Sequence, residues 1–405
     1  MKEMIAWDEA RDILLDAVGV TSEEMVDITH GLNRVLARDI KAPVDVPPFD
    51  KSPFDGYALR SEDTVGELPV TLRITQEIPA GYEPGIPVEP GCAAKILTGA
   101  PIPEGADAVI KFEQTEFTAS NVTINKALKP DTDIIHAGED IARGETIARA
   151  GDVLDPGLVG SLASLGIGET AVRKIPTVAV ITTGSELADI TGAADKTPPC
   201  GKIFNSNRYS FMAALEKAGA KGVFMGACPD DISSIASMVS EALDKYDAVL
   251  TTGGVSVGDY DFTMRAYEAA GADILCGNIM LKPGGKSCYA AKDGKLIFGL
   301  SGNPASAMTA FYSVVMPALL KLQGRDHIIP SFDAKLKYDC SKKSSRPRFI
   351  RGRVYIEGGK PVFEESEHQG NGGLLGMAGF NALALTGPKD KPLMAGDTVT
   401  VYYYG

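Results

Sequence analysis

The sequence has few of the side chains that do chemistry unaided. Only four histidines occur in 405 residues, at 30, 136, 327 and 368, far apart along the chain. The six cysteines stand at 92, 200, 228, 276, 288 and 340, and no two have Cys-x-x-Cys spacing. That pattern argues against a zinc site or a disulfide framework and fits a reducing, cytoplasmic setting. Positive charge is also in deficit: 40 Lys and Arg against 53 Asp and Glu give a net charge of −13. An acidic chain is poorly suited to tracking nucleic-acid phosphates, so no nucleic-acid partner is expected. An anionic substrate must instead be held by a local cluster of cations against an unfavourable overall field. No run of about 18 uncharged apolar residues appears and the first residues show no signal-peptide pattern, so no membrane association is expected. Neither a GxxxxGK[ST] loop nor a GxGxxG after the first strand of an α/β region occurs.

What is present is ordinary globular material, 44% apolar and 23% charged. The length suggests two to four domains at roughly 150 residues each. Residues 7–19 read as a helix, with Ile13, Leu14 and Val18 at helical spacing. Thr21 with Glu24 reads as a capping box opening a second helix. Four prolines between Ala42 and Pro53 break both helix and strand and mark a linker. Short strands with Gly/Pro turns follow over 54–135. Asp155-Pro156 opens a helix to about 165. From Pro176, strand-like runs at 177–182, 222–225, 248–252 and 296–300 alternate with helical segments near 207–218, 231–244, 261–270 and 304–322. That alternation predicts a parallel sheet with helices on both faces. After Pro330 the pattern is β again.

In such a sheet, ligands bind outside the carboxyl ends of the strands. The first run ends in Thr182-Thr183-Gly184-Ser185-Glu186, and the second leads to Cys228-Pro229-Asp230-Asp231. The third leads to Gly253-Gly254-Val255-Ser256, then Asp259 and Asp261. The fourth leads to Ser301-Gly302-Asn303-Pro304. Taken singly, each Gly-Gly reads as a turn and each Asp as an N-cap. Four such ends together read as a site. Glycine backbone and helix N-termini attract oxyanions, and acids beside them make sense if a divalent cation bridges the two. With no His or Cys ligand set, an all-oxygen site suits Mg²⁺. Positive charge is available on "LKPGGKS", with Lys282 and Lys286, and on "RPRFIRGR", with Arg351 and Arg353. The second stretch also reads as a solvated edge strand kept soluble by charge.

Several longer stretches carry a family resemblance. "APVDVPPFDKSPFDGYALR", "ILTGAPIPEGADAVIKFEQTE", "GEDIARGE", "TTGSEL", "TTGGVSVGDYD", "LKPGGK", "GNPASA" and "HQGNGGLLGMAGFNAL" occur in family order over nearly the whole chain. They resemble the molybdopterin molybdenumtransferases, the MoeA family, akin to the E domain of gephyrin. The resemblance implies an elongated homodimer of the α/β plus β class. Its parts are a discontinuous helix-rich domain over 1–43 and 136–175, a small β domain over 44–135, a doubly wound molybdopterin-binding α/β domain over 176–326, and a C-terminal β barrel over 327–405. It also implies a reaction: adenylylated molybdopterin and molybdate are brought together, the pyrophosphate-type linkage is cleaved, AMP leaves and molybdenum stays on the dithiolene. Asp55, Thr98, Glu186, Asp230 and Asp261 are then the catalytic residues, with Glu186 and Asp261 as Mg²⁺ ligands. Thr183, Gly184, Gly253, Gly254, Ser256, Lys282, Lys286, Ser301, Asn303, Pro304, Arg351 and Asn371 are the substrate-binding set. A molybdopterin adenylyltransferase is the implied partner protein.

The sequence departs from the family pattern at Lys51, Pro53 and Phe54, at the extra glycine and Ser287 of the lysine loop, and at Asn278, Ser301 and Asn371. Several of these belong to the oxyanion pocket implied by the resemblance. They leave open a paralogue inserting tungstate, or a non-catalytic molybdopterin carrier or dimeric scaffold. An adenylyltransferase of the MogA type is disfavoured, since such chains are a single α/β domain.

Overall fold

The computed structural model describes residues 2–190, 197–254, 260–340, 344–387 and 392–405. The chain packs as two units. One comprises Met1–Met25, Asn33–Ala37 and Ala171–Gly405, the other Val26–Leu32 and Arg38–Thr170.

The first unit is built on a seven-stranded sheet. Its strands are β1 (Lys2–Glu3), β2 (Thr177–Thr183), β3 (Lys221–Cys228), β4 (Ala248–Thr252), β5 (Asp273–Gly277), β6 (Cys288–Lys292) and β7 (Lys295–Leu300), in the order β1-β5-β6-β7-β4-β2-β3. The expected four strands β3, β2, β4 and β7 run parallel. β2 shows why they form: in "TVAVITT", Val178 and Val180 enter one apolar cluster while Ala179 and Ile181 enter another. A strand buried on both faces reads as a continuous apolar run. Helices α2 (Ser206–Lys217) and α5 (Pro304–Leu322) cover one face, and α3 (Ile232–Lys245) and α4 (Tyr260–Ala269) the other. α5 contains a π-turn over Phe311–Val315. It is long and apolar enough to cross a bilayer, yet 94% buried inside the fold, the mark of a core helix.

The sheet is mixed rather than wholly parallel, because β6 runs antiparallel to both β5 and β7. The cause is local. Lys292 pairs with Lys295 across Asp293 (φ 50°) and Gly294 (φ 78°). Two consecutive positive-φ residues make the tight hairpin turn that Asp-Gly favours. The helix expected after Thr21 is also absent. Glu23–Asp27 is a strand with alternating exposure, and the Thr21 hydroxyl donates to the Lys174 carbonyl at 2.8 Å instead of capping. α1 (Trp7–Ala17) forms as expected and packs on α5. After α5 the chain closes a five-stranded barrel of β8 (Ser331–Leu336), β9 (Arg348–Glu357), β10 (Lys360–Glu365), β11 (Ala382–Thr386) and β12 (Thr398–Tyr403), ordered β8-β10-β9-β11-β12.

The second unit holds a six-stranded sheet in which Gly56–Leu59, one strand in from the edge, is flanked by Cys92–Ile96 and by the edge strand Ala108–Lys111. Tyr57 and Leu59 enter one apolar cluster and Ala58 the other, so this sheet is also covered on both faces. The helix Pro156–Ser164 carries its expected cap, the Asp155 carboxylate accepting from the Leu158 amide at 2.8 Å.

Candidate active site

The order β3-β2-β4-β7 fixes where a ligand fits. From β2 the chain crosses outward to β3, then returns over β2 to β4. The crevice of such a sheet opens where the connections diverge, between the carboxyl ends of β2 and β4. Those ends are Thr183-Gly184 and Gly253-Gly254. Gly253 (φ 101°) lies so close to β2 that a Cβ there would sit 2.4 Å from the Thr183 hydroxyl and 2.5 Å from its carbonyl oxygen. A Cβ on Gly254 (φ 64°) would lie 2.8 Å from the Thr263 hydroxyl and 4.0 Å from the Asp230 carboxylate. The Glu186 carboxylate folds back over Gly184, 2.6 Å from where its Cβ would be. Both Glu186 and Asp230 are solvent-exposed. The ends of β2 and β3 are tied by Gly184 N–H donating to the Cys228 carbonyl at 3.2 Å, and those of β4 and β7 by Gly253 N–H donating to Leu300 at 3.1 Å. The rim therefore brings Thr183, Gly184, Glu186, Asp230, Gly253 and Gly254 together, as the sequence suggests. Ser256 and Asp259 lie outside the described residues. Asp261 stands in the first turn of α4, and its side chain lies outside the described ones.

The acids differ in task. Asp231 does what a capping aspartate does. Hydrogen bonds from the Ser233 and Ser234 hydroxyls and the Ser234 amide hold its pKa down to about 2. Its folded value lies below the ordinary 3.8, so its stabilising effect is complete above that value and fades as pH falls towards 2. Asp231→Asn keeps the cap without the titration. It is expected to flatten the acid limb of a melting-temperature profile between about pH 4 and 2, and an unchanged limb would show that the cap is not linked to proton uptake. Asp230, one residue earlier, has no such partners among the described residues, and its carboxylate stands beside Gly254. Cys228 supplies no soft ligand, because burial, with Asp230 and Asp231 adding to it, pushes its thiol up to about 11. Among the described residues no three His, Cys, Asp or Glu side chains cluster as a metal cage. The rim's available donors are oxygens.

Beside the rim lies a cleft of about 490 Å³. Lys282, Lys286, Ser301, Asn303 and Asn371 line it, with Arg346, Ser344 and Ser345 on a further wall. Five residues of the expected substrate-binding set thus share one concavity, with Asn278 beside them. The lysine loop, between β5 and β6, is anchored to β9 by Lys282 N–H to Pro347 and Phe349 N–H to Lys282. Its glycines are structural: a Cβ at Gly285 would lie 2.5 Å from the Leu281 carbonyl, and one at Gly284 (φ 102°) 3.0 Å from that of Ser306. The extra glycine lets the loop turn tightly under its two lysines. Asn278 has φ 49°, a left-handed backbone that asparagine tolerates better than lysine. Pro304 opens α5, and the Ala305 amide donates to Asn371 at 3.1 Å, so the barrel loop carrying Asn371 sits on the helix N-terminus.

Arg351 is not the solvated side chain that its stretch suggests. It is fully buried, and one terminal nitrogen donates to the His368 and Gly370 carbonyls at 3.2 Å each. Its Nε and Nη1 are buried without partners among the described residues. It does not line the cleft wall, but holds the loop that presents Asn371. Burial, and then the neighbouring Arg348, lower its affinity for its proton.

In the second unit, Asp55 and Thr98 form a pair. The Asp55 carboxylate accepts from the Thr98 amide at 2.7 Å and hydroxyl at 2.9 Å, and these bonds hold its pKa below the usual range. Both side chains are exposed.

Two residues of the rim escape the sequence reading, Asn205 and Asn207. Asn205 caps α2 by accepting from the Arg208 amide and ties α2 to β2 through the Thr182 hydroxyl at 2.9 Å. The only signal is an asparagine before a helical run.

Comparison with known proteins agrees with this architecture. Residues 5–166 match the MoeA N-terminal region (domain I and II), 179–321 the probable molybdopterin binding domain, and 333–404 the MoeA C-terminal region (domain IV). Molybdopterin molybdenumtransferases of Staphylococcus aureus and Staphylococcus epidermidis are 37% and 35% identical to this chain over 380 residues, 93% of it and 90% of each relative. The solved structure of the molybdopterin biosynthesis MoeA protein from Pyrococcus horikosii has a TM-score of 0.86 at 31% identity and covers 100% of both chains. A molybdenum cofactor biosynthesis protein from Pyrococcus furiosus, 20% identical with a TM-score of 0.61 over 99% of this chain and 100% of its own, shares the fold. The chain belongs to the MoeA family of molybdopterin molybdenumtransferases.

Proposed function

We propose that this chain acts in molybdenum cofactor biosynthesis as a cytoplasmic homodimer. It inserts molybdate into adenylylated molybdopterin with release of AMP, in a Mg²⁺-dependent reaction. One observation carries the reading: the acidic, glycine-lined rim and the lysine cleft are contiguous. Ser301 and Asn303 line the cleft, while Gly302 between them lies against Gly253, a Cβ there being 3.4 Å from the Gly253 Cα. Such a site brings two anions together. Glycine backbone at Gly184, Gly253 and Gly254 cradles the phosphates, and Lys282 and Lys286 hold the oxyanion as point charges.

The rim's donor set fits a hard cation, with carboxylates present and a protonated thiol beside them. Glu186 and Asp261 would hold Mg²⁺, with Asp230 beside them. When bound, it offsets the repulsion between the two anions and polarises the phosphate. Glu186 and Asp230 orient water and phosphate, and Arg351 fixes the loop bearing Asn371. Asp55 stays ionised through its bonds to Thr98 and serves as a fixed acceptor.

The test is incubation of the purified chain with adenylylated molybdopterin, Mg²⁺ and either molybdate or tungstate, followed by measurement of AMP and active cofactor. AMP with molybdate-loaded cofactor is the expected result. Product with tungstate alone would identify the tungstate paralogue. Tight pterin binding with no AMP from either oxyanion would establish the carrier reading instead, and a molybdopterin adenylyltransferase would then be sought as its partner.

A further inference from the structure

We infer that Asn207 is a specificity-determining residue of this site, whose side-chain carbonyl receives an N–H from the edge of a planar nitrogen heterocycle. The inference rests on the reading above, in which a pterin nucleotide lies across the rim. Asn207 stands in the first turn of α2 and is 8% exposed. Its Nδ2 donates to the Gly302 carbonyl at 2.9 Å. A carbonyl only accepts, so this bond fixes which end of the amide is which. The other end, Oδ1, is buried and has no partner among the described residues.

An idle buried amide oxygen is costly, and folded proteins keep few of them. Asn205, two residues earlier, shows the usual outcome: its Nδ2 donates to Thr182 and its Oδ1 accepts from Arg208, so both ends are used. The anchor of Asn207 stands at the crevice. Gly302, its anchor, lies against Gly253, and Gly253 lies against Thr183, whose own hydroxyl is also buried without a partner. One unsatisfied polar group, Thr183, therefore stands at the β2–β4 switch point, and a second, Asn207, is joined to it through Gly302 and Gly253.

What could satisfy Oδ1 follows from donors and acceptors. Phosphate and molybdate oxygens at neutral pH only accept, so they are matched to the lysine cleft and not to this atom. The adenylylated substrate carries N–H groups in two places, the pterin ring and the adenine. Both present an amino group on a flat ring, and either satisfies the oxygen. A site built to bond such a group rejects an analogue lacking it, because the acceptor is then left buried and unpaired.

The test is calorimetric titration of the full-length wild type, Asn207→Leu and Asn207→Asp with three probes: pterin-6-carboxylate, AMP and molybdate. Asn207→Leu is expected to weaken one ring probe about tenfold or more, the loss of about one hydrogen bond, with molybdate affinity within about twofold. The ring that loses affinity is the one read by Asn207. Asn207→Asp keeps an acceptor but not the bond to Gly302, and is expected to recover most of that affinity. The inference is overturned if both rings bind Asn207→Leu as they bind wild type, which would leave Oδ1 to a bound water only. It is equally overturned if Asn207→Asp is as impaired as Asn207→Leu, or if both variants fail to fold, since the residue then only braces Gly302. A wild type that binds neither ring would overturn the inference together with the reading beneath it.

Discussion

Gly253→Ala is expected to reduce AMP release by at least about a thousandfold and to lower stability by about 2–4 kcal/mol. Two costs combine. At φ 101° an L residue is strained whatever the space around it, a penalty on the order of 1–3 kcal/mol. The added methyl would also sit 2.5 Å from the Thr183 carbonyl oxygen, which is backbone and cannot rotate away. β2 and β4 must part at the point where the crevice opens. Thr183 and Gly184 move with β2, and Glu186 moves with Gly184. A displacement of about 1 Å at reacting groups costs roughly a hundredfold, and here the acid and the phosphate cradle shift together. Single-turnover AMP release and thermal unfolding check both parts. A variant that melts early yet releases AMP at the normal rate would show that the crevice between β2 and β4 is not where the phosphates lie.

Arg351→Met is expected to do the opposite to stability. Removing this guanidinium loses its bonds to the His368 and Gly370 carbonyls, each about 1.5–3 kcal/mol for a charged donor. It also removes a buried charge with two unpartnered nitrogens, whose desolvation costs several kcal/mol. The two effects nearly cancel, and a methionine fills much of the same volume. The melting temperature should therefore stay within a few degrees of wild type, or rise. Activity should not survive as well. The loop that presents Asn371 loses its anchor, and a shift of about 1 Å in a positioning group costs roughly a hundredfold, so molybdate insertion should fall by about that factor. A large drop in melting temperature with full insertion activity would show that Arg351 is a structural residue and no more.

β2, β4 and β7 are legible in the sequence because they are buried on both faces, so that "TVAVITT" and "AVLTT" stand out as unbroken runs, while the edge strand β3 is only half-buried. Helices α2 to α5 are legible as helical segments between those runs, with Asp231 and Pro304 marking the starts of α3 and α5. β1 is not: Lys2 and Glu3 are exposed and polar, and only pairing with β5 makes them a strand. The strand Glu23–Asp27 is hidden because Thr21 and Glu24 imitate a helix start, while the hydroxyl that would decide the matter bonds to a residue 153 positions away. At the site, the glycines and acids at strand ends are legible as a pattern. The burial of Arg351 is not, since an Arg-x-Arg stretch reads as solvent-facing until the barrel closes over it. Asn207 is silent too. Its idle oxygen exists only because Gly302, far along the chain, claims the other half of the amide.

The passage of the chain between its two units has a consequence of its own. Leu36 bridges Val172, and the Ala37 amide donates to Ala171 at 2.9 Å. For the longer of the two excursions, Arg38–Thr170, departure and return therefore occur side by side, on a stem that belongs wholly to the first unit. A long excursion begun and ended at one doorway leaves its host with no gap to span. The α/β and barrel portion can keep its own continuity across that stem, so the six-stranded module can diverge in length and surface without disturbing the fold that carries it.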